Sequence, residues 1–390
     1  MNVAIAVIRP FHAAQIANAL RLHNAQVSIL SSAPRSYFQG LAPEVAVRLI
    51  PAPGPILQRI LPFRLPDAAL RYGIVAWDRM VAASLPPANL VFGFATQSLA
   101  TGRKASKRGS RFLLDRACPH VDFQQNIIRE EAEKVGASYR PEPSWYRDRQ
   151  LKEYDLAEVI LTPSRYSART FPPALQSKIV IAPLLGRVPA TPATPSAPHD
   201  KFTVGVLGGN PLRKGYLYLL EAWKQLNLPN ARLLLRVGDD FSRFPRLREL
   251  LHQLPNVEII RYVPNIADFY RRCDVFCLPS VDDGFGMALC EAMAHGVASI
   301  ATHNCGASEL LIHGTDGLIV PPRSSEALAE AMLNLYRDPA LRQALAQAGQ
   351  QTIQQATQTG LYEKSLWSAV SPTTNPGAPG LAFETWVSPT

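Results

Sequence analysis

The sequence predicts an α/β fold with two doubly wound units, each a parallel sheet with helices on both faces. Short apolar runs typical of strands alternate with helical patterns along the chain, and this alternation is typical of parallel sheets. A proline-rich stretch interrupts the alternation near residue 190. The length of 390 residues also suits two or three domains of about 100 to 200 residues each.

The amino-terminal half opens with a β–α–β pattern. Val3 to Ile8 and Val27 to Leu30 are apolar runs that predict two strands. Between them, apolar side chains recur at helical spacing from Ala13 to Leu22 and predict an amphipathic helix. Arg111 to Leu114 predicts a further strand. We therefore expect a Rossmann-like domain over residues 1–186.

The proline-rich stretch predicts a linker over residues 187–200. Its prolines recur every third residue, a spacing that suits a semi-rigid polyproline II segment: Pro189, Pro192, Pro195 and Pro198. We expect a second Rossmann-like domain over residues 201–360. A C-terminal segment, 361–390, starts with a helical pattern over Leu361 to Val370 that could cross back to the first domain, and it ends in sequence rich in Pro and Thr.

The second half repeats the alternation of strands and helices. A helix is predicted from Lys214 to Leu226, between the first two strands of this half. The predicted strands are Thr203 to Leu207, Arg232 to Val237, Val257 to Ile260, Asp274 to Leu278 and Ala298 to Ala301.

The most informative stretch, PSVDDGFGMALCEAMAHG, runs from Pro279 to Gly296. Pro279 ends a strand, so the following loop lies at the carboxyl end of a sheet, where open α/β sheets bind ligands. Gly284 and Gly286 leave backbone N–H groups uncovered at the start of a helix, and such a helix start attracts anions. This loop therefore predicts a phosphate site.

Two carboxylates flank that anion site. Asp283 lies in the loop and Glu291 lies eight residues further on. Because carboxylates repel phosphate, their useful partners are hydroxyl groups, such as those of a sugar or a ribose. Alternatively, Asp283 caps the helix and Glu291 is a solvated surface residue. The residues alone leave both interpretations open.

A second chemical signal is VGVLGGNPLRKGYLYLLEAW, from Val204 to Trp223. Arg213 and Lys214 follow a strand and lie where a helix begins, and two cations there could neutralise a diphosphate leaving group. The alternative is an ordinary basic start of a helix. Gly208 and Gly209 do not form G-x-G-x-x-G, so the dinucleotide-binding fingerprint is absent.

These motifs resemble the retaining glycosyltransferases of family 4, the E-x7-E type of group 1 glycosyl transferases. The resemblance includes the carboxylate eight residues before Glu291, the GFG turn, EAMAHG, and CGASELLIHGTDGLIVPP from Cys305 to Pro322. It implies the GT-B fold, in which two Rossmann-like domains face each other across a cleft, with the acceptor on the first domain and the nucleotide sugar on the second. The chain departs from the family in having Asp283 where Glu is usual, and in lacking a base just after Gly208.

The resemblance also implies roles for individual residues. Glu291 is expected to hold the ribose, Lys214 and the Gly284 to Met287 backbone the diphosphate, and Asp283 the sugar hydroxyls. His120, just beyond a predicted strand, is expected to contact the donor sugar, and His12 to bind the acceptor. The implied donor-binding set is Arg213, Lys214, Asp283, Gly284, Phe285, Gly286, Met287 and Glu291, and the implied catalytic set is His120, Asp283 and Lys214.

The implied activity is transfer of a hexose, with retention, from a UDP or GDP sugar to a lipid, saccharide or small-molecule acceptor. Front-side attack is implied, in which the departing phosphate takes the acceptor proton. Asp282-Asp283 is not D-x-D, so neither a metal nor any other cofactor is expected. Two alternatives stay open: a GT-B-like sugar-nucleotide epimerase or phosphorylase, and an inactive homologue that binds nucleotide sugars.

The positive charge is concentrated in the first half of the chain. Residues 1–195 carry 24 Lys and Arg against 13 Asp and Glu, a net charge of +11, whereas residues 196–390 carry 16 against 18, a net charge of −2. The densest cluster is Arg103, Lys104, Lys107, Arg108 and Arg111. Such a patch suits anionic lipid headgroups, an anionic acceptor or a solvated helix face. Nucleic acid is not expected, because no aromatic residues alternate with these bases.

Cysteine usage and hydropathy indicate the compartment. The five cysteines show no pairing framework and no C-x-x-C, which favours a reducing cytoplasm. The first residues, MNVAIAVIRPFH, are interrupted by Arg9 and Pro10 and predict a strand instead of a signal peptide. No apolar run reaches the roughly 18 residues that would span a bilayer. We therefore expect a cytoplasmic enzyme, with peripheral membrane association open through the basic patch.

Overall fold

The computed structural model of the chain describes residues 1–53, 67–186, 188–189, 200–254 and 256–371, which form two parallel sheets. The first sheet contains β1 Asn2–Val7, β2 Gln26–Ser31, β3 Ala46–Leu49, β4 Leu90–Phe94, β5 Arg111–Asp115, β6 Val159–Thr162 and β7 Ile179–Ile181. The second contains β8 Phe202–Leu207, β9 Ala231–Arg236, β10 Val257–Ile260, β11 Val275–Leu278, β12 Ala298–Thr302 and β13 Leu318–Val320. The strand orders are β3-β2-β1-β4-β5-β6-β7 and β10-β9-β8-β11-β12-β13.

Helices connect the strands and cover the sheets. In the first half they are α1 Ala13–Arg21, α2 Asp67–Ser84, α3 Leu99–Lys107, α4 Val121–Lys134, α5 Ser144–Leu156, α6 Arg165–Arg169 and α7 Pro173–Gln176. In the second half they are α8 Tyr216–Leu226, α9 Pro245–His252, α10 Ile266–Tyr270, α11 Met287–Ala294, α12 Ser325–Arg337, α13 Pro339–Gln358 and α14 Leu361–Val370. Short 3-10 helices lie at Arg35–Tyr37, Phe241–Arg243 and Gly306–Leu310.

The central strands are apolar along their whole length because each sheet is covered on both faces. Every residue of β4 and of β11 is buried. Two buried indole rings have hydrogen-bonded N–H groups: Trp77 donates to the carbonyl oxygen of Ile50 and Trp223 to Oδ1 of Asn256, each over 3.0 Å. The apolar runs of the sequence therefore form the cores of both sheets, and the prediction of two doubly wound parallel sheets is confirmed.

The predicted helix from Lys214 begins two residues later than expected. Gly215 is its N-cap residue, with a φ of 66°. A Cβ on Gly215 would lie 2.0 Å from the carbonyl oxygen of Pro279. Because only glycine accepts both this backbone conformation and this approach, residues 211–215 form a turn against the loop after β11.

Each half of the chain contributes a helix that packs on the other half. Helix α14 lies against α1 and β7 of the first sheet, and the Trp367 ring stacks on His23 with ring centroids 3.8 Å apart. In the opposite direction, α4 packs on the helices of the second sheet, where Glu131 accepts a hydrogen bond of 2.9 Å from the hydroxyl of Tyr218. The Nε of Arg323 also lies 2.9 Å from the Glu131 carboxylate.

The predicted limits of the domains remain predictions. The linker predicted over residues 187–200 lies outside the described residues except for Val188, Pro189 and Asp200, and the tail from residue 372 onward lies outside them as well. Within the described part of the chain, no helix is both long and apolar enough to cross a membrane.

Candidate active site

The carboxyl ends of the two sheets line one cavity of about 710 Å³. One wall consists of the loops after β1, β4 and β5, and the other consists of the loops after β8 and β11 with the first turns of α11. In both sheets the strand order reverses at this point, between β1 and β4 and between β8 and β11. Such switch points are where open α/β sheets bind ligands. The cavity is therefore the candidate active site.

The loop after β11 is held by hydrogen bonds to the loop after β12. The Asp283 amide donates to the carbonyl oxygen of Asn304 over 2.9 Å, and the Ala307 amide donates to that of Phe285 over 2.6 Å. Gly286 is the N-cap of α11 with a φ of 90°, and no side chain caps this helix. The first N–H groups of α11 therefore face the cavity at a fixed position, as a phosphate site requires.

Gly284 holds the same loop against the first half of the chain. Its carbonyl oxygen accepts hydrogen bonds from the hydroxyls of Ser164, over 2.6 Å, and Ser167, over 3.3 Å. A Cβ on Gly284 would lie 2.2 Å from the carbonyl oxygen of Ala117. Gly284 therefore joins the two halves behind the cavity and does not line it.

Glu291 lines the cavity from α11 and is half-buried. The hydroxyl of Tyr270 donates to its Oε2 over 3.0 Å. Gly186, on the segment that leaves the first sheet, packs so closely that a Cβ there would lie 3.2 Å from Cγ of Glu291. This environment does not match the alternative in which Glu291 is a solvated surface residue.

Lys214 and Asp283 come from different loops and form an ion pair in the cavity. The Lys214 and Asp283 side chains are 18% and 14% exposed. A Cβ on Gly208 would lie 2.9 Å from Cε of Lys214, so glycine at this position leaves room for the lysine side chain. Asp283 pairs with the lysine and does not cap α11, unlike in the alternative interpretation.

Arg213 turns away from the cavity. Its Nε donates to Oδ2 of the buried Asp282 over 2.8 Å, and the hydroxyl of Tyr166 donates to Oδ1 of the same carboxylate over 3.2 Å. A buried carboxylate needs such a cation, because it is costly to leave unpaired. The structure therefore does not bring Arg213 to the cavity wall where its predicted contact with the donor diphosphate would be made. Arg213 pairs with Asp282 inside the second half, and the Tyr166 hydroxyl joins that carboxylate to the first half.

His120 also lies outside the set of residues that line the cavity. It is the N-cap of α4, and its Nδ1 accepts a hydrogen bond of 3.3 Å from the Asp122 amide. Its ring packs against Tyr154 and Phe171, with centroids 5.2 and 5.3 Å away. Burial lowers the pKa of His120, which keeps this nitrogen an acceptor. The structure does not bring His120 to the predicted donor sugar.

His12 does line the cavity, on the wall of the first sheet. Its Nε2 lies 2.8 Å from Oδ2 of Asp115. Sequence reasoning chose His120 from the residues just beyond β5. The four residues at the end of β5 and directly after it line the cavity, namely Asp115, Arg116, Ala117 and Cys118. Position directly after a strand was the signal that could have identified them.

Thr96, in the loop after β4, is a second residue that sequence reasoning missed. It lines the cavity and has a φ of 80°, which is rare for a β-branched residue. Buried Glu153 accepts hydrogen bonds from the Thr96 and Ser98 amides over 2.6 and 2.8 Å. Arg149 pairs with Asp78 beside it. No pattern in the sequence indicates this strain, since it arises from contacts between distant segments.

The cavity can therefore hold an anion beside hydroxyl groups. Lys214 and the N-terminus of α11 supply positive potential on the second wall, and Asp283 and Glu291 supply strong acceptors next to it. Among the described residues, no group of three or more His, Cys, Asp or Glu side chains is arranged to hold a metal ion.

Comparison with known proteins agrees with this geometry. Residues 190–352 match the family "Glycosyl transferases group 1". The capsular polysaccharide biosynthesis glycosyltransferase CapM of Staphylococcus aureus is 29% identical over 160 residues, covering 40% of this chain and 42% of CapM. The lipopolysaccharide core biosynthesis glycosyltransferase LpsD of Rhizobium meliloti is 31% identical over 189 residues, covering 46% of this chain and 53% of LpsD. The chain thus spans about half the length of these curated relatives.

Solved structures resemble the whole chain. Sucrose-phosphate synthase from Thermosynechococcus elongatus superposes with a TM-score of 0.69 at 19% identity. The superposition covers 95% of this chain and 100% of that structure. HepE from Anabaena, in complex with UDP-glucose, superposes with a TM-score of 0.67 at 15% identity, covering 95% and 99%. At such identities the likeness establishes the fold. Residues 190–352 therefore resemble the glycosyl transferases group 1 family, and the two sheets of the described residues have the predicted GT-B arrangement.

Proposed function

We propose that this protein is a glycosyltransferase that moves a hexose from a nucleoside-diphosphate sugar to a lipid, saccharide or small-molecule acceptor. One observation carries the proposal. Lys214, Asp283, Glu291 and the uncapped start of α11 meet on one wall of a single cavity, inside the segment that matches the glycosyl transferase family. The complex of HepE with UDP-glucose supports a nucleotide sugar as the donor.

The donor binds along the second wall. Glu291 accepts hydrogen bonds from the ribose hydroxyls, and the backbone from Phe285 to Met287 holds the diphosphate together with Lys214. Asp283 then accepts from hydroxyls of the sugar. Because Lys214 pairs with Asp283 in the structure, donor binding replaces one anionic partner of the lysine with another. The carboxylate is released to a neutral hydroxyl, which it binds without repulsion.

The chemical outcome follows from the family resemblance. We propose family 4, retention at the anomeric carbon, and a reaction that needs neither a metal ion nor a protein nucleophile. Lys214 and the α11 N-terminus stabilise the diphosphate as it departs. The acceptor enters from the opposite wall, which His12 lines.

A panel of UDP, GDP, ADP and dTDP sugars, screened by thermal shift, tests donor binding. A bound donor raises the unfolding temperature by mass action. Radiolabelled donors that bind are then incubated with and without octyl glycosides of glucose, galactose and mannose. Labelled octyl disaccharide with the anomeric configuration of the donor is the expected product. Conversion of the donor without acceptor to an epimer indicates an epimerase instead. Binding with neither hydrolysis nor transfer indicates an inactive homologue.

We also propose that an anionic membrane surface is a partner. Arg79, Arg103, Lys104 and Lys107 line a groove of about 430 Å³ between α2 and α3. The rings of Tyr72 and Trp145, on the adjoining helices α2 and α5, are solvent-accessible and stack 5.0 Å apart. Basic side chains next to exposed aromatic rings suit the headgroup region of a membrane.

Two bases of the predicted cluster have other partners and do not belong to this surface. Arg108 donates to the carbonyl oxygen of Leu85 over 2.7 Å, and Arg111 pairs with Glu158 over 2.9 Å. Sedimentation with phosphatidylglycerol vesicles at low salt tests the proposal. We expect the protein to sediment with these vesicles and to be released when Lys104 and Lys107 are changed to Glu. If it stays in solution with phosphatidylglycerol as it does with phosphatidylcholine, the membrane partner is rejected.

A further inference from the structure

Two aromatic side chains line the cavity from the first sheet and are largely exposed. Phe11, in the loop after β1, is 66% exposed, and Tyr37, at the end of the 3-10 helix after β2, is 58% exposed. Phe is among the side chains that folded proteins bury most often, because its ring is a large apolar surface. Exposed rings that line a cavity therefore indicate a ligand that covers them.

The surrounding structure holds Phe11 in this position. Its φ of 38° is rare for a bulky residue, and its ring stacks on Phe94 with centroids 6.0 Å apart. The loop is fixed at Ile8, whose amide donates to Oε1 of Gln97 over 2.7 Å and whose carbonyl oxygen accepts from the Ser32 hydroxyl over 2.8 Å. Backbone strain of this kind persists where surrounding structure enforces it, often at functional sites. The ring is therefore held in place before any ligand binds.

The polar groups beside the rings carry no excess of positive charge. Nε2 of His12 lies 2.8 Å from Oδ2 of Asp115, so the carboxylate offsets any charge on the imidazole. Gln39 is exposed at the cavity, and its side chain makes no hydrogen bond within the described part of the chain. A side-chain amide both donates and accepts hydrogen bonds, as the hydroxyl group of a ligand does.

Arg116 is the single Lys or Arg among the described residues that line the cavity from the first half. Its Nε donates to the carbonyl oxygen of Pro119 over 3.0 Å. Its other two nitrogens donate to Oε1 of Gln150 and of Gln124, over 3.4 and 3.3 Å. Phosphate groups are bound most strongly by charged donors. Because this guanidinium group is already engaged, the first wall does not suit a phosphorylated or otherwise anionic acceptor.

We propose that the acceptor is a neutral saccharide whose pyranose ring lies on Phe11 and Tyr37. The C–H groups on the face of a pyranose are apolar and slightly positive, and they match the negative face of an aromatic ring. The hydroxyl groups at the edge of the sugar then pair with Gln39. A hydrocarbon chain would also cover the rings, but it would leave the polar groups beside them without partners.

This inference rests on the proposed function and narrows its acceptor to an uncharged sugar ring, either free or as the head of a glycolipid. Transfer from the preferred radiolabelled donor tests the class. The acceptors are the methyl and octyl glycosides of glucose, galactose and mannose, the three free sugars with their 6-phosphates, and 1-octanol. We expect the best free sugar to exceed its 6-phosphate by roughly tenfold or more in kcat/KM. Methyl and octyl glycosides of that sugar should agree within about threefold, because the ring and not the chain is bound.

Variants of Phe11 test the contact itself. Phe11→Leu keeps a side chain on the strained backbone but removes the aromatic face. We expect the KM for the best methyl glycoside to rise about tenfold, while the KM for the donor changes less than about threefold. Phe11→Tyr keeps the ring and should keep the acceptor KM. Tyr37→Leu, on a different segment, should raise the acceptor KM in the same direction.

Controls separate this role from a structural one. Tyr262→Leu changes a side chain after β10 that is 71% exposed and lies outside the cavity, and it should keep the wild-type kinetics. UDP binding measured by calorimetry shows whether each variant is folded. The inference is overturned if folded Phe11→Leu and Tyr37→Leu proteins both keep the wild-type acceptor KM.

The wild-type protein separates the inference from the proposed function. Transfer to a sugar 6-phosphate or to 1-octanol, but to no neutral saccharide, overturns the inference and leaves the proposed function standing. A protein that transfers sugar to none of these acceptors removes the proposed function and this inference with it.

Discussion

At the scale of single residues, Glu291 has the most specific position in the cavity. Its carboxylate is oriented by the Tyr270 hydroxyl at 3.0 Å. Removal of a charged hydrogen-bonding group costs about 1.5–3 kcal/mol, so Glu291→Ala should lower kcat/KM by roughly 10- to 100-fold. Initial rates with the preferred donor measure this. Glu330→Ala, on the exposed face of α12, is the matched control. Near-normal rates for Glu291→Ala would show that Glu291 does not bind the donor.

The ion pair of Lys214 with Asp283 predicts opposite effects on binding and on transfer. Asp283→Asn removes the carboxylate that competes with the diphosphate for the ammonium group. We therefore expect UDP affinity to rise about twofold to fivefold, in the range of weak ion pairs, while sugar transfer falls. Lys214→Ala should instead weaken UDP binding and transfer together. Isothermal calorimetry and rate measurements on the same samples distinguish these outcomes. Weaker UDP binding by Asp283→Asn contradicts this account.

At the scale of elements, the turn from residue 211 to 215 depends on Gly215. A side chain there meets both a φ of 66° and a carbonyl oxygen 2.0 Å away. Gly109 has a similar φ of 72°, and a Cβ there would meet no atom within 4 Å. Alanine at Gly109 therefore measures the backbone strain alone, without the collision that it meets at Gly215. We expect Gly109→Ala to lower the free energy of unfolding by about 1–2 kcal/mol and Gly215→Ala to lower it by more. Urea denaturation of both variants tests the order, and equal losses would show that the contact with Pro279 does not matter.

The loop after β4 depends on the ionisation of Glu153. Burial raises the pKa of this carboxyl to about 7, against the favourable effect of Arg149. The folded chain therefore binds the proton more tightly than the unfolded chain, whose pKa is 4.5. The stability from Glu153 is fully present below that value and is lost as pH rises through about 7. Glu153→Gln should remove this dependence. Urea midpoints of the wild type and of Glu153→Gln at pH 5, 6, 7 and 8 measure the pH dependence. The same dependence in both proteins would contradict the raised pKa of Glu153.

Local patterns were enough to predict most of the fold. The strand predicted from Val257 to Ile260 has the observed limits, and the helix from Ala13 differs by one residue at its end. Apolar runs and helical periodicity are properties of neighbouring residues, so a single sequence carries them. The loop after β11 was predicted for the same reason, since a strand that ends at proline marks the carboxyl edge of a sheet.

The site could be predicted only in part, because its pairings join distant positions. His12 and Asp115 are 103 residues apart, and Arg213 and Asp282 are 69 apart. The sequence indicates that these groups follow strands, but it does not show which of them face the cavity. Arg213 is held away from the cavity by the buried carboxylate of Asp282, and His120 is held away by its position as the N-cap of α4.

At the scale of the whole molecule, the two halves are joined in a way that predicts cooperative unfolding. Helix α4 follows β5 of the first sheet, yet its side chains Ile127 and Ala132, with Val135 at its C-cap, pack in the hydrophobic core of the second. Helix α14 follows the second sheet and packs on the first. Neither half can unfold without exposing apolar surface of the other. We therefore expect one calorimetric transition, whose calorimetric and van't Hoff enthalpies agree, although chains of this size often unfold in several steps.

Two perturbations at opposite ends of the molecule test this coupling. Leu366, on α14, is 1% exposed, and Leu→Ala changes in a core typically cost about 2–5 kcal/mol. Leu366→Ala should lower the temperature of the single transition. UDP, which we expect to bind the second wall, should raise the temperature of that same transition. Ile312→Ala, at a side chain that is 54% exposed, should change little. Two transitions, one moved only by Leu366→Ala and the other only by UDP, would show that the halves unfold independently and that α4 and α14 do not couple them.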